Sequence, residues 1–325
     1  MAWPLGLTSI KVEVLASVVV VGRTQEETHM ILVTGATGNI GRSLLDELHA
    51  VGAGPIRALT RDIAGTVFPP GVEAVEGDLA ESASLKVALD GMRSMFLLPR
   101  LGNDAEILDA ARRAGVEHVV LVSSITVQTH PHLGPAAENA ASEKLLEDSG
   151  MEWTILRPTQ FASNALMWAA EIRAHQSIRV PYADKALPTI HPADIASVAP
   201  LPQTPRPTNN PPYSARGPRA QHPHRAPPGH RYVLTGPEQI SARRQISTIA
   251  GLLNRDIEVD EITREQARAT MVEVFGADAA DAVLDVTGGD VGDELLRVRD
   301  TVARITGSPA RTFRRWAEEN LDAFR

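Results

Sequence analysis

Three glycines at three-residue intervals, Gly35, Gly38 and Gly41, are the residues of this chain best suited to chemistry on a phosphate. Such a run lets the backbone turn sharply and come close to a pyrophosphate. A helix starting at the same turn adds free N–H groups and the positive end of its dipole. The flanks supply both partners: Ile31, Leu32 and Val33 form a short apolar run, and Ile40, Leu44, Leu45 and Leu48 recur at helical spacing into residues 43–50. Strand, glycine turn and helix in that order make a dinucleotide cradle over residues 30–42. The spacing is G-x-x-G-x-x-G, whereas the standard fingerprint is G-x-G-x-x-G, so the glycines alone are a weak signal with a tight βα turn as the alternative.

Two further side chains fall where such a cradle needs them. Arg61 ends the second apolar run, about 20 residues beyond Gly41. An acid at that place holds a ribose 2′-hydroxyl, and an arginine accommodates a 2′-phosphate, so Leu59-Thr60-Arg61-Asp62 favours NADP over NAD; the alternative is an ordinary surface cation. Asp78, in Glu76-Gly77-Asp78-Leu79, comes after the third run and would face the adenine end of a crevice, cap the next helix, or do both.

The elements that position these residues alternate regularly. Strands are expected at 31–33, 56–60, 72–75, 94–98 and 119–122, and helices at 82–89 and 104–114, the last with Asp104 as N-cap and Gly115 just past its end. Near-continuous apolar strands such as His118-Val-Val-Leu-Val122 suit a sheet covered on both faces. The fold class is therefore α/β: a doubly wound parallel-sheet Rossmann fold, with a smaller, mainly helical C-terminal part on the substrate side. That part reads as a strand at 232–235, a helix ending near Asn254, a strand at 257–262, and helices at 265–274, 279–286, 293–305 and 309–324.

Composition excludes several classes. The chain has 325 residues, 43% hydrophobic, a net charge of −8 and no cysteine. That charge argues against nucleic acid or an anionic membrane as partner. Without cysteine there is no disulfide, thiolate zinc site or thiol nucleophile. No apolar run reaches the ~20 residues of a membrane span, and a cytoplasmic protein is expected.

The motifs as a set resemble one family. Thr34-Gly-Ala-Thr-Gly-Asn-Ile-Gly41, Glu76-Gly-Asp-Leu79, Val122-Ser-Ser124, Ser149-Gly-Met-Glu-Trp-Thr-Ile-Leu-Arg-Pro158, Ile190-His-Pro-Ala-Asp-Ile-Ala196 and Tyr232-Val-Leu-Thr-Gly-Pro-Glu238 look like the NmrA-like branch of the atypical short-chain dehydrogenases/reductases. The resemblance implies cofactor contacts at Gly35, Thr37, Gly38, Asn39, Ile40, Gly41, Leu79, Leu98 and Ser123, beside Arg61 and Asp78. Gln160, Phe161 and Asn164 would line the substrate pocket, with core packing an equal alternative for Phe161 and Asn164. Core packing is expected for Trp168, and a helix-capping role for His191 or Asp194. His130-Pro-His132 reads as a solvated loop, with no metal site expected.

One family feature is missing. Ordinary short-chain reductases carry Tyr-x-x-x-Lys on the helix after the fifth strand, the tyrosine giving the proton. On the corresponding helix here, expected at 135–149, Lys144 is preceded by Ala140 and Glu143 by Asn139; the only tyrosines are Tyr182, Tyr213 and Tyr232. No catalytic side chain is assigned. The expected function is hydride transfer from NADPH to a quinone-like or conjugated small-molecule acceptor. The alternative is a catalytically silent NAD(P)-binding sensor with a protein partner.

Two stretches sit apart. Residues 1–29 fit poorly with the strand-turn-helix pattern that begins at Met30, and Met30 is expected to be the natural initiator, the alternative being a real edge strand. Residues 200–230 are dense in Pro, Arg, His and Asn without periodicity, which on composition reads as disordered. A pair of compensating frame changes and a genuine basic loop are the two explanations for that insert. The expected domains are then 30–199 for the Rossmann part and 231–325 for the last strand and C-terminal part.

Overall fold

The computed structural model describes residues 30–199 and 229–325. The expectations for residues 1–29 and for all but the end of the 200–230 insert lie outside the described residues.

The strands are β1 (Met30–Val33), β2 (Ile56–Thr60), β3 (Val72–Glu76), β4 (Met92–Leu97), β5 (His118–Val122), β6 (Glu152–Pro158), β7 (Gln160–Phe161), β8 (Ile178–Val180), β9 (Ala186–Ile190), β10 (His230–Leu234), β11 (Gln239–Ser241) and β12 (Val259–Glu261). A seven-stranded sheet runs β10-β6-β5-β4-β1-β2-β3. Its pairs are all parallel. The Rossmann expectation holds, and β10 joins that same sheet beside β6 although it lies beyond residue 228 in the chain.

Helices cover both faces. They are α1 (Asn39–Ala50), α2 (Ser82–Leu89), α3 (Asp104–Ala114), α4 (Thr126–Thr129), α5 (Gly134–Asp148), α6 (Ala169–Arg173), α7 (Pro192–Val198), α8 (Ala242–Leu253), α9 (Arg264–Phe275), α10 (Ala277–Leu284), α11 (Asp293–Leu296), α12 (Thr301–Thr306) and α13 (Phe313–Glu319). Alternate strand residues point to opposite faces. Ile31, Val33 and Val120 pack with Leu44, Leu48 and Ile195 of α1 and α7, whereas Leu32, Met95 and Val119 pack with Leu85, Ile107 and Leu146 of α2, α3 and α5. A third cluster around Ile172, Ile246, Phe313, Trp316 and Phe324 forms the C-terminal part. Among the described residues no helix is long and apolar enough to cross a membrane.

Local expectations fail where a distant partner takes over a backbone group. Asn103, not Asp104, is the N-cap of α3: its side chain accepts from the N–H groups of Ala105 and Glu106. Asp104 instead accepts from the Arg100 N–H at 3.0 Å and from the Ser142 hydroxyl at 2.5 Å. The single helix expected at 293–305 is two, α11 and α12. Between them the Arg299 N–H donates to Thr235 Oγ1 at 2.9 Å, a tertiary bond that local helix propensity cannot match. The helix expected at 309–324 begins only at Phe313, because the Arg311 N–H is committed to Asp194 at 2.7 Å; Thr312 caps it, and a 3₁₀ turn over Leu321–Phe324 comes after it.

The capping role expected near His191 is present. Its Nδ1 accepts from the Ala193 N–H at 3.0 Å, and its Nε2 meets Glu319 Oε2 at 3.0 Å. These contacts require a neutral ring with its proton on Nε2. Burial pushes the pKa below its ordinary 6.5, outweighing the opposite pull of the Glu319 and Asp194 carboxylates, with Arg311 adding to the downward shift. A group depressed in this way binds fewer protons folded than unfolded. Stability should therefore fall as pH drops below 6.5 toward the folded-state value. Thermal denaturation scanned from about pH 8 to about pH 5 should show that slope. His191→Asn, whose amide oxygen caps without titrating, should flatten it; an unchanged slope would exclude His191 as its source.

Candidate cofactor and substrate site

Strand order reverses between β1 and β4, so the crevice opens at their C-terminal ends. Thr34, fully buried, closes the two strand ends: its Oγ1 donates to the Phe96 carbonyl at 3.0 Å and accepts from the Leu98 N–H at 3.1 Å. Gly35 comes next with φ +59°, a left-handed conformation, and a Cβ there would lie 2.3 Å from Leu98 Cδ1. Leu98 thus backs the turn directly. A Cβ on Gly41 would lie 2.2 Å from the Gly35 carbonyl oxygen, so α1 can start only if that residue is glycine.

The start of α1 fits an anion. Its N-cap Gly38 is extended and brings no side-chain capping bond, and the first turn holds no acid. Thr37, Gly38 and Asn39 are exposed, whereas Ile40 turns into the core. Helix geometry leaves the first N–H groups without intrahelical partners, and here no capping side chain takes them. Arg42 Nε donates to the Thr37 carbonyl at 2.9 Å and holds the turn's outer edge.

The next two strands of the sheet, β2 and β3, end beside the cradle. Arg61 is exposed just past β2, with no hydrogen bond or ion pair among the described residues. Asp62 is turned into its own loop, its Oδ1 accepting from the Gly65 N–H at 2.9 Å. Asp78 does not cap α2, whose N-cap position is Glu81. Its Oδ1 accepts from the Ala80 N–H at 2.9 Å, and its own N–H donates to Ser84 Oγ at 3.1 Å. A Cβ on Gly102 would lie 2.6 Å from the Leu79 carbonyl oxygen, so the loops after β3 and β4 touch.

Ser123, at the end of β5, opens a group that sequence reasoning does not foresee. Its Oγ donates to Glu143 Oε1 at 2.5 Å. Arg157 on β6 clasps the same carboxylate, Nε to Oε1 at 2.9 Å and Nη2 to Oε2 at 2.5 Å. Arg231 on β10 approaches Oε2 at 3.5 Å, pairs with Glu147 and lies over the Trp153 ring. Glu143 is 3% exposed and Asn139, one turn earlier on α5, 5%; the Asn139 Oδ1 has no partner. These two face inward, and Lys144 points to solvent against Asp148. The signal in the sequence is a buried-face acid at i+4 from an asparagine, but its partner lies in another element. Ser124 turns the other way, accepting from the Thr126 N–H and hydroxyl to start α4.

The expected pocket residues come after β6. Gln160 and Phe161 form β7 alongside Thr189 and Ile190, half-buried, with Phe161 packed on the core. Asn164 is exposed on the 3₁₀ turn Ala162–Trp168, and Trp168 packs on the C-terminal cluster as expected. His130 corrects the solvated-loop expectation: it is 2% exposed, with Nε2 bonded to the Asp290 carbonyl at 2.6 Å and Nδ1 to Thr129 Oγ1 at 2.8 Å. The C-terminal part reaches over to it. Among the described residues no cluster of His, Asp or Glu could hold a metal ion.

Comparison with known proteins points to the same class of cofactor. Residues 35–199 match a protein family described as NAD(P)H-binding. The (4-alkanoyl-5-oxo-2,5-dihydrofuran-3-yl)methyl phosphate reductase of Streptomyces griseus is 34% identical over 91% of this chain and 99% of its own. The NAD(P)H azoreductase of Xenophilus azovorans is 30% identical over the same shares, 91% and 99%. The crystal structure of the NADPH-dependent quinone oxidoreductase QOR2 of Escherichia coli, complexed with NADPH, superposes with a TM-score of 0.67 at 23% identity, covering 89% of this chain and 99% of that one.

Proposed function

The chain belongs to the NAD(P)H-binding family, and from that premise we propose that it is an NADPH-dependent reductase of quinone-like or otherwise conjugated small-molecule acceptors. The observation that carries this reading is the inward face of α5. Where a proton-donating tyrosine and its lysine would stand, it presents Asn139, which has no acidic proton, and Glu143, whose two oxygens act as acceptors for Ser123 and Arg157. Reducing a simple ketone develops a basic alkoxide that needs a donor in place. A conjugated acceptor spreads the incoming charge, and solvent can protonate it. The similarity to proteins named for reducing an azo compound and an oxo-dihydrofuran supports an acceptor of that kind.

The bound dihydronicotinamide would supply the hydride. Gly35, Thr37, Gly38, Asn39, Ile40 and Gly41 would hold its pyrophosphate, Arg61 the 2′-phosphate, Asp78 and Leu79 the adenine side, and Leu98 and Ser123 the nicotinamide side. Gln160, Phe161 and Asn164 would line the acceptor pocket. The test is oxidation of NADPH and NADH against quinones, azo and triphenylmethane dyes and simple ketones. Turnover on the conjugated acceptors alone is the expected result; equal turnover on simple ketones would overturn it, and tight NADPH binding without turnover on any acceptor would favour a silent sensor.

Arg61 makes the cofactor preference testable. A hydrogen bond to a charged group contributes about 1.5–3 kcal/mol, so Arg61→Ala should weaken NADPH by about tenfold or more and leave NADH almost unchanged. Titration of intrinsic fluorescence with each nucleotide reads both constants. Equal losses would remove Arg61 from the 2′-phosphate site.

A further inference from the structure

We infer that Glu143, held by Arg157, is a positioning residue that fixes the Ser123 hydroxyl as a hydrogen-bond acceptor toward the nicotinamide end of the crevice. The inference rests on the dinucleotide site proposed for this chain. A serine hydroxyl has one proton to give and two lone pairs to offer. Here the proton is committed: Oγ donates to Glu143 Oε1 at 2.5 Å, a short bond of the charge-assisted kind. The carboxylate cannot return the favour. Arg157 donates to both of its oxygens, at 2.9 Å and 2.5 Å, which keeps it an acceptor in all three contacts. Its burial at 3% exposure leaves no solvent to compete for it.

The consequence is chemical. Ser123 can offer only lone pairs to a bound molecule, so it reads an N–H donor and cannot protonate a product. The amide N–H₂ of the nicotinamide carboxamide is such a donor. Ser123 itself would touch the cofactor; Glu143 acts through it. Arg231 extends the arrangement, approaching Glu143 Oε2 at 3.5 Å from β10, so the last strand of the sheet also helps hold the carboxylate. A purely structural Glu143–Arg157 pair would affect every ligand of the crevice alike, and that difference can be measured.

The experiment measures dissociation constants of the full chain for NADPH and for 2′-phospho-ADP-ribose, which lacks the nicotinamide. Ser123→Ala removes the acceptor and leaves the ion pair intact. It should weaken NADPH by about fivefold, the scale of one neutral hydrogen bond, and leave 2′-phospho-ADP-ribose unchanged. Glu143→Leu, which offers the hydroxyl no acceptor, frees the serine proton and should produce the same selective loss, with no further loss in the double variant. Equal weakening of both ligands by either variant, or additive losses in the double variant, would overturn the inference. Ser123→Ala alone still decides the acceptor role if Glu143→Leu does not fold. Failure of the unaltered chain to bind NADPH would instead overturn the dinucleotide reading.

Discussion

Gly41→Ala is expected to disable the cradle while Gly38→Ala leaves the fold almost untouched. The exposed N-cap Gly38 and the buried Gly41 differ in what a methyl group would meet. At Gly41 the added Cβ lies 2.2 Å from the Gly35 carbonyl oxygen and 2.8 Å from Ala36 Cα, both backbone atoms that no rotamer change can move. At Gly38 its nearest neighbour is the same oxygen at 3.3 Å, a contact relieved by a shift of a few tenths of an ångström. Relief at Gly41 means lifting the start of α1 away from β1, against Ile40, Leu44 and Leu45, which anchor that helix in the core. Overpacking of this kind costs about 1–3 kcal/mol, and the displaced helix end no longer presents its N–H groups at the crevice. Urea denaturation should show that loss for Gly41→Ala, and NADPH titration should show binding weakened by more than about tenfold, one decade being about 1.4 kcal/mol. Wild-type stability and affinity in Gly41→Ala would show that the turn does not depend on this close approach.

The cradle was legible in the sequence because everything that defines it is local. Val33 ends a run of apolar residues, the three glycines come within eight positions of it, and Ile40, Leu44, Leu45 and Leu48 keep helical spacing; the structure buries all of these apolar side chains. The alternation of short apolar strands with amphipathic helices likewise carried the parallel sheet. Features set by distant partners were not legible. Asn103 and Asp104 are both good capping residues, and which of them caps α3 was decided by Ser142 on α5, whose hydroxyl takes Asp104. Residues 297–300 have unremarkable helical propensity, yet Thr235 breaks the helix there by bonding both the N–H and the carbonyl of Arg299. His130 looked like part of a polar loop because its partner, the Asp290 carbonyl, is 160 residues away. The Glu143–Arg157 clasp was hidden although only 14 residues separate the pair, because the two lie on different elements: the missing tyrosine could be read from one helix, but what replaced it needed two strands as well.

The link between the C-terminal part and the cradle rests heavily on one arginine, and Arg311→Ala is the substitution expected to cost the most stability. Asp194, in the first turn of α7, is 1% exposed. Its Oδ2 accepts from the Arg311 N–H at 2.7 Å and its Oδ1 from Nη1 at 2.6 Å, while Arg311 Nη2 reaches Glu47 on α1 at 3.1 Å. Burial pushes the Asp194 carboxyl up, and the Arg311 contacts are the main force opposing that. Truncating the arginine keeps the backbone donor but leaves a buried carboxylate without its countercharge. Removing one partner of a buried pair costs about 3–5 kcal/mol, and the partial exposure of Arg311 places this case near the lower end. Asp194→Asn in the same background should recover much of the loss, because a neutral amide needs no countercharge and can still accept from the Arg311-position N–H. Binding should respond differently from stability. Arg311 touches α1 at Glu47, two turns beyond the glycines, so Arg311→Ala kept below its lowered melting temperature should bind NADPH almost as the parent does. Chemical denaturation of the single and double variants, with NADPH titration of each, separates the two effects. A stability change within about 0.5 kcal/mol for Arg311→Ala would mean that solvent already screens Asp194 and that other contacts, His191 with Glu319 foremost, hold the C-terminal part in place.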